Sequence, residues 1–402
     1  MRVVHISTTD YGGAFKAVQR IQESIRQQGI QSDILVRSRS CETDTIEVVH
    51  TLWQKLISKG KNFLNLLCSH GEVVTDLFGS DLSSHPKVQE ADIIMLHWVN
   101  SFISNRSVRK LAKLNKPILW VMHDMWVFTG GCHCDAYCGR YHEGCGCCPY
   151  LGGRWKRDIS YWNLKRKNKL FEQVKITFVA ISRWQKESAL NSVPLRGKSV
   201  SWIPDPLDFD IFRPLDKEKI RREHNIGNKK VILFGADKAL ENPMKGFQYL
   251  MDALKQLEAE EYLVICFGRA PQKKRIMPEY INIKYLGAIQ DEKELVMWYN
   301  IADVFVSPSI QEGFGYTVCE ALACGTPVTA FASSGILDQI AHKENGYLAK
   351  LYDVTDLAEG IRFCVDNREN LGTVARKRIT SFNSYDIVGG KYCKICQDVL
   401  EG

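Results

Sequence analysis

Residues 304–331 read VFVSPSIQEGFGYTVCEALACGTPVTAF. Val304-Phe305-Val306 is a short apolar, β-branched run, the pattern of a buried strand. Ser307-Pro308-Ser309 breaks it. Gly313 and Gly315 then mark a loop whose backbone can approach a ligand closely. Thr317 to Ala323 reads as a helix with Val318, Ala321 and Leu322 on one face. Gly325 is placed to cap that helix, and Val328 to Phe331 is a second buried strand. The unit is strand, glycine loop, helix, strand, with the loop opening at the carboxyl end of a strand.

Two carboxylates lie at that opening. Glu312 is in the loop and Glu320 in the first turns of the helix. The amides of Gly313, Phe314, Gly315 and Tyr316, together with the helix N-terminus, favour a diphosphate. Glu320 can accept from a ribose diol and Glu312 from a second polyhydroxylated ring. A solvated Glu beside an ordinary helix charge would give the same spacing.

The wider pattern S-P-S-x-x-E-G-F-G-x-x-x-x-E-A-L-A-C-G-T-P-V closely resembles the E-x7-E segment of family 4 retaining glycosyltransferases. The resemblance implies an α/β chain of the GT-B type, two Rossmann-like domains facing each other across a cleft. It places Glu320 on the nucleotide ribose and Glu312 on the donor sugar.

At 402 residues the chain is long enough for two domains. A hydrophobic fraction of 45% supports full cores, and a net charge of +7 is too modest for a typical nucleic-acid binder. No apolar run reaches the ~18 residues that span a bilayer. The segment Met1-Arg2-Val3-Val4-His5-Ile6-Ser7 reads as a strand rather than a signal peptide. A cytoplasmic protein is expected, with peripheral contact on the inner membrane face left open.

In chain order, Arg2 to Ser7 is a central parallel strand. It turns through Gly12 and Gly13 into a helix carrying Val18, Ile21 and Ile25. Gly29 ends that helix and Asp33 to Arg37 is the next strand. Gly12-Gly13 resembles the family loop that faces the donor. Leu52 to Cys68 puts Trp53, Leu56, Ile57, Phe63, Leu64 and Leu67 on one helical face. That face either packs on its own domain or lies on an anionic leaflet. Pro117 to Met122 is a strand that delivers His123 to the carboxyl edge, where open α/β sheets bind ligands. Its setting, W-V-M-H-D-M-W-x-F-T-G-G-C, resembles a bacterial subset of the family and implies that His123 touches the donor sugar or β-phosphate.

Of the fourteen cysteines, six fall between Cys132 and Cys148. Cys132, Cys138, Cys145 and Cys148 are spaced C-x5-C-x6-C-x2-C, which suits a structural tetrahedral Zn holding the loop 132–149. An Fe–S cluster, reduced thiols or a local disulfide would also fit the spacing, and His133, Cys134 and Cys147 are spare ligands. Cys68, Cys266, Cys319, Cys324 and Cys364 read as small core hydrophobes. The basic, aromatic stretch 153–169, with Trp155, Trp162, Lys165 and Lys167, reads as a solvated helix or a surface for an anionic acceptor.

The second domain opens near Lys229. Val231 to Gly235 is a strand, and Lys245-Gly246 begins a helix through Phe247, Leu250, Met251 and Leu254. A lysine at a helix start beside glycine suits a diphosphate. The arrangement resembles the family's phosphate-binding segment. Where the family commonly has Gly-Arg this chain has Gly235-Ala236, so Lys238 or Arg269 is expected to supply the cation. Asp291 to Trp298, Asp356 to Asn367 and Val374 to Leu400 read as helices. The expected domains are 1–205, 206–375 and a helix over 376–402 returning to the first.

The resemblance implies a hexosyl-type glycosyltransferase acting in bacterial surface polysaccharide biosynthesis: O-antigen, capsule or exopolysaccharide. His123, Glu312 and Lys245 are its expected catalytic residues. A UDP- or GDP-sugar is the expected donor and a glycan or lipid-linked hydroxyl the acceptor. No catalytic cofactor and no nucleic-acid partner are expected. Three rival functions share parts of this pattern. A glycosidase has the paired carboxylates but no use for Lys245-Gly246. A nucleotide-sugar epimerase would have the same fold. A zinc-containing nucleic-acid-binding protein would account for the cysteines and the basic stretch.

Overall fold

A computed structural model describes residues 1–38, 46–49, 72–75, 77–235, 241–258, 260–269 and 282–402. The chain divides into two compact units, Met1–Pro206 with Tyr385–Gly402, and Leu207–Ser384. The expected helix at 52–68 lies outside the described residues.

The first unit contains β1 (Arg2–Thr9), α1 (Gly13–Gln27), β2 (Gln31–Ser38), β3 (Ile46–Val48), α2 (Pro86–Glu90), β4 (Ile93–Leu96), α3 (Asn105–Ala112), β5 (Ile118–Met122), α4 (Ile159–Gln173), β6 (Thr177–Ala180), α5 (Arg183–Asn191) and β7 (Val200–Trp202). Its strands lie side by side in the order β3-β2-β1-β4-β5-β6-β7, all parallel. Helices on both faces explain why β4 and β5 are buried throughout. Val18, Ile21 and Ile25 of α1 are all buried. The strand expected at 33–37 extends to Gln31–Ser38 because its pairing with β1 starts at Gln31.

The second unit contains α6 (Lys217–Glu223), β8 (Lys230–Gly235), α7 (Phe247–Leu254), β9 (Tyr262–Phe267), β10 (Asn282–Tyr285), α8 (Glu292–Ile301), β11 (Val304–Ser307), α9 (Tyr316–Ala323), β12 (Val328–Phe331), β13 (Gly346–Ala349), α10 (Val354–Asp366) and α11 (Arg368–Asn383). Its sheet, also parallel, runs β10-β9-β8-β11-β12-β13. In each sheet the order reverses beside one strand pair, β1 with β4 and β8 with β11. A crevice at the carboxyl ends of such a pair is where open α/β sheets take ligands.

The single helix expected over 374–400 is two helices. α11 ends at Asn383, Ser384 is extended, and α12 (Tyr385–Glu401) follows. The predicted boundary at 375/376 also falls inside the second unit, which continues to Ser384. Arg376 explains this: its guanidinium donates to the carbonyls of Phe212, Ala323 and Phe209, fastening α11 to that unit. α12 packs on α1. Gly389 is required at their crossing, because a Cβ there would lie 2.3 Å from the Ser24 carbonyl oxygen.

Asp303 anchors the second unit. Its carboxylate, 4% exposed, accepts from Lys217 Nζ at 2.7 Å, Arg221 at 3.1 Å, the Val231 amide at 2.7 Å, and Arg368. Burial works against its charge, but Lys217 and the other donors outweigh it and hold the carboxyl at about 2. The same crowding, with burial first, presses Lys217 below its usual value. Because the folded value lies below the unfolded ~3.9, this stabilisation is present above pH ~4 and is lost as pH falls towards 2. Asp303→Asn should cost about 3–5 kcal/mol at pH 7, since it leaves buried cations uncompensated. Denaturant melts of both proteins from pH 7 to 2 would check this: the variant should lose less stability below pH 4 than the parent.

Candidate functional site

In the second unit, residues 304–331 fold as a βαβ element, β11–loop–α9–β12. Gly315, at φ +89°, is the residue before the helix, and no side chain caps it. Its left-handed backbone suits glycine, and the positive end of the helix dipole, with no side-chain cap, faces this loop and favours an anion. Phe314 is buried and its carbonyl accepts from the Gln339 side-chain Nε2. The expected contribution of Phe314 is therefore a backbone one, its ring being packed inside.

Lys245 arrives from the neighbouring strand. A short 3-10 turn, Pro243–Lys245, precedes α7, and Asn242 caps it by accepting from the Met244 amide at 3.0 Å. Gly246 lies at φ +73° so close to the next loop that a Cβ would fall 1.8 Å from the Pro308 carbonyl oxygen. The Ile310 amide donates to the Met244 carbonyl at 2.9 Å. The loops after β8 and β11 are thus joined. Lys245 Nζ meets Glu312 Oε1 at 2.6 Å, with side-chain exposures of 23% and 18%. An ion pair of this kind, reachable from solvent, can open to an anion on the lysine side and a hydroxyl on the carboxylate side.

Glu320 is buried on α9 and accepts from the Tyr299 hydroxyl at 3.0 Å. The Glu312 amide donates to Ser334 Oγ at 2.8 Å, and the Gly335 amide returns to the Glu312 carbonyl at 2.9 Å. Sequence reading missed Tyr299, Ser334 and Gln339. Only Ser334 left a local trace, as a serine before glycine, and it adopts φ +50°. Arg269 is exposed two residues beyond β9, at the same sheet edge as Lys245. Lys238 lies outside the described residues.

In the first unit Gly12, at φ +87°, turns β1 into α1, which Gly13 begins. His123 follows β5 and its Nε2 is 2.9 Å from His97 Nδ1. Asp124 accepts from His133 Nδ1 at 2.6 Å, the Trp126 amide at 2.8 Å and Trp98 Nε1 at 2.9 Å. Burial opposes its charge, but His133 first and these hydrogen bonds next hold Asp124 below the usual carboxylate range. His133, which burial alone would depress, is raised by Asp124. It is thus an ion-pair partner of the strand-end aspartate. Neither His97 nor this role of His133 was read from the sequence.

Cys132, Cys138, Cys145 and Cys148 line one small cavity, while Cys134 and Cys147 do not. Burial pushes the Cys145 thiol up to about 12, with Cys138 and Cys148 adding to the rise. Among the described residues no disulfide joins any cysteine. Among the described residues, no group of three or more His, Cys, Asp or Glu side chains is so placed as to hold a metal ion. Cys266, Cys319, Cys324 and Cys364 are buried in the second unit; Cys68 is not among the described residues. On α4, Lys167 departs from the solvated face expected of it. It is buried, donates to the Trp126 and Thr129 carbonyls, and sits 3.6 Å over the Trp126 ring. Trp155 and Trp162 are exposed. No helix among the described residues is long and apolar enough to cross a membrane.

Residues 216–378 match the family model "Glycosyl transferases group 1". The chain is 28% identical over 190 residues to the N,N'-diacetylbacillosaminyl-diphospho-undecaprenol alpha-1,3-N-acetylgalactosaminyltransferase of Campylobacter jejuni, covering 46% of this chain and 49% of that one. It therefore spans about half the length of that curated relative. Among solved structures it is similar to sucrose-phosphate synthase from Thermosynechococcus elongatus, with a TM-score of 0.70 at 16% identity over 100% of this chain and 99% of that one. It is also similar to Anabaena HepE in complex with UDP and glucose, at a TM-score of 0.67, 16% identity and 99% coverage of each chain. These likenesses show the fold: two parallel-sheet α/β units of the GT-B type.

Proposed function

We propose that the protein is a glycosyltransferase that moves a sugar, with retention, from a nucleoside-diphosphate sugar to a hydroxyl of a glycan or lipid-linked acceptor. The observation that carries this is the meeting of Lys245 and Glu312 from adjacent loops at a strand-order reversal. Lys245 and the positive end of the α9 dipole would neutralise charge developing on the leaving diphosphate. Glu312 would take a sugar hydroxyl and Glu320, fixed by Tyr299, the ribose. No side-chain nucleophile is needed if the departing phosphate accepts the acceptor's proton on the same face. His123 would touch the donor sugar or β-phosphate, as the H-D-M-W resemblance to a bacterial subset of family 4 implies.

HepE's complex with UDP and glucose supports a UDP-sugar donor. The Campylobacter relative's name contains a diphospho-undecaprenol, which supports a lipid-linked acceptor. The exposed Trp155 and Trp162 among basic neighbours suit an anionic acceptor or a membrane surface.

The cysteine loop is proposed to bind one structural Zn through Cys132, Cys138, Cys145 and Cys148. The donor set suits it: four free thiols line one cavity of about 10 Å³, room for about one water-sized sphere. An ion would have to draw the thiols inward to ligand distance, which a loop rich in glycine permits.

Lys245→Ala and Glu312→Ala should each lower transfer by at least ~100-fold while the circular dichroism spectrum is kept. Turnover at the parent rate in a folded variant would remove that residue from the mechanism. A product assay separates transfer from epimerisation. UDP-sugars should raise the melting temperature of the parent by mass action and that of Lys245→Ala by less. Elemental analysis of the purified chain should find one Zn per chain, lost in Cys145→Ser. Metal-free protein with all four thiols reactive would sink the Zn assignment without touching the transfer reaction.

A further inference from the structure

Three imidazoles stand in a row across the sheet of the first unit. His5 lies in β1, His97 follows β4 and His123 follows β5, and these strands are neighbours. His5 Nδ1 is 2.7 Å from His97 Nε2, and His97 Nδ1 is 2.9 Å from His123 Nε2. Successive ring planes differ by 18° and 23°. The outer nitrogens, His5 Nε2 and His123 Nδ1, are buried, with no hydrogen-bond partner among the described residues.

Burial pushes His5 down to about 3, with Arg26 lowering it further and Asp33 opposing. Burial also lowers His97, helped by the two flanking rings. It pushes His123 down to about 4 against the pull of Asp124. Near neutral pH each ring therefore carries one hydrogen. Four positions can hold those three hydrogens: two gaps and two ends. A gap with two hydrogens sets N–H against N–H, and a gap with none sets lone pair against lone pair. Each gap takes one, and the third hydrogen sits at one end only.

We propose that the three rings share one tautomer and that His97 is a positioning residue for His123. The hydrogen is on His5 Nε2 or on His123 Nδ1, never on both. A ligand oxygen that accepts from His123 Nδ1 selects the Nδ1–H form of all three rings. A ligand hydroxyl that donates to it selects the Nε2–H form. This selection rests on the reading of His123 as a donor contact; the coupling among the rings does not.

The test is 15N NMR of the full chain labelled at histidine nitrogens, near neutral pH, with signals assigned through single-histidine variants. Pyrrole-type and pyridine-type nitrogens are distinguished by shift. The parent should show one tautomer for His5, His97 and His123. In His97→Leu, His123 should change its tautomer signature. His97→Gln, whose amide offers one donor and one acceptor, should restore it, which a purely space-filling role for His97 would not require. Mixed tautomers or a charged ring in the parent, or an unchanged His123 signal in folded His97→Leu, would overturn the proposal. UDP-glucose that leaves a coupled trio unmoved would uphold the coupling and remove His123 from the donor site.

Discussion

The candidate site of the second unit depends on one close approach, Gly246 against the Pro308 carbonyl. No side chain fits there, so the turn after β8 lies directly on the loop after β11. That contact sets where Lys245 ends and which carboxylate it meets. Parallel strands bring two βα loops to the same edge, but parallelism alone leaves their tips several ångströms of freedom. A missing methyl group removes that freedom. The Ile310 amide bond to the Met244 carbonyl adds a second tie. The charged pair is therefore held by backbone, and the side chains need only point.

Much of this was legible in the chain. Residues 304–331 announce strand, loop, helix and strand because their punctuation, Ser-Pro-Ser, Gly-x-Gly and Gly-Thr-Pro, agrees with their apolar pattern. Buried parallel strands show themselves as unbroken β-branched runs. Lys245, Glu312 and Glu320 were found through their spacing and their resemblance to a known pattern. Residues that hold those groups were not. Tyr299 lies on the buried face of α8, where an aromatic reads as core. His5 sits inside an apolar strand with only its neighbours in sequence to interpret it. Its partner is 92 positions away, and a contact of that range leaves no local signature.

Other differences also have local causes. The terminal helix breaks at Ser384 although its composition stays helical on both sides, because Arg376 ties the first half to the second unit while Gly389 lets the second half close on α1. Lys167 belongs to a basic stretch by sequence, yet its neighbours supply two carbonyls and an indole face, and these replace water for a buried ammonium. His133 stands among cysteines and invites a metal reading. Asp124, nine positions earlier, claims it first.

The crossing of α12 on α1 reaches beyond packing. Residues 207–384 form a continuous unit, whereas the first is assembled from both flanks of it. On a ribosome the inner unit can complete itself as soon as its own last residue emerges. The outer one must wait with the α1 flank uncovered until the final helix has been made. Order of synthesis and order of completion are thus reversed in this chain, and the side of α1 around Ser24 and Gln28 is the surface exposed during the interval.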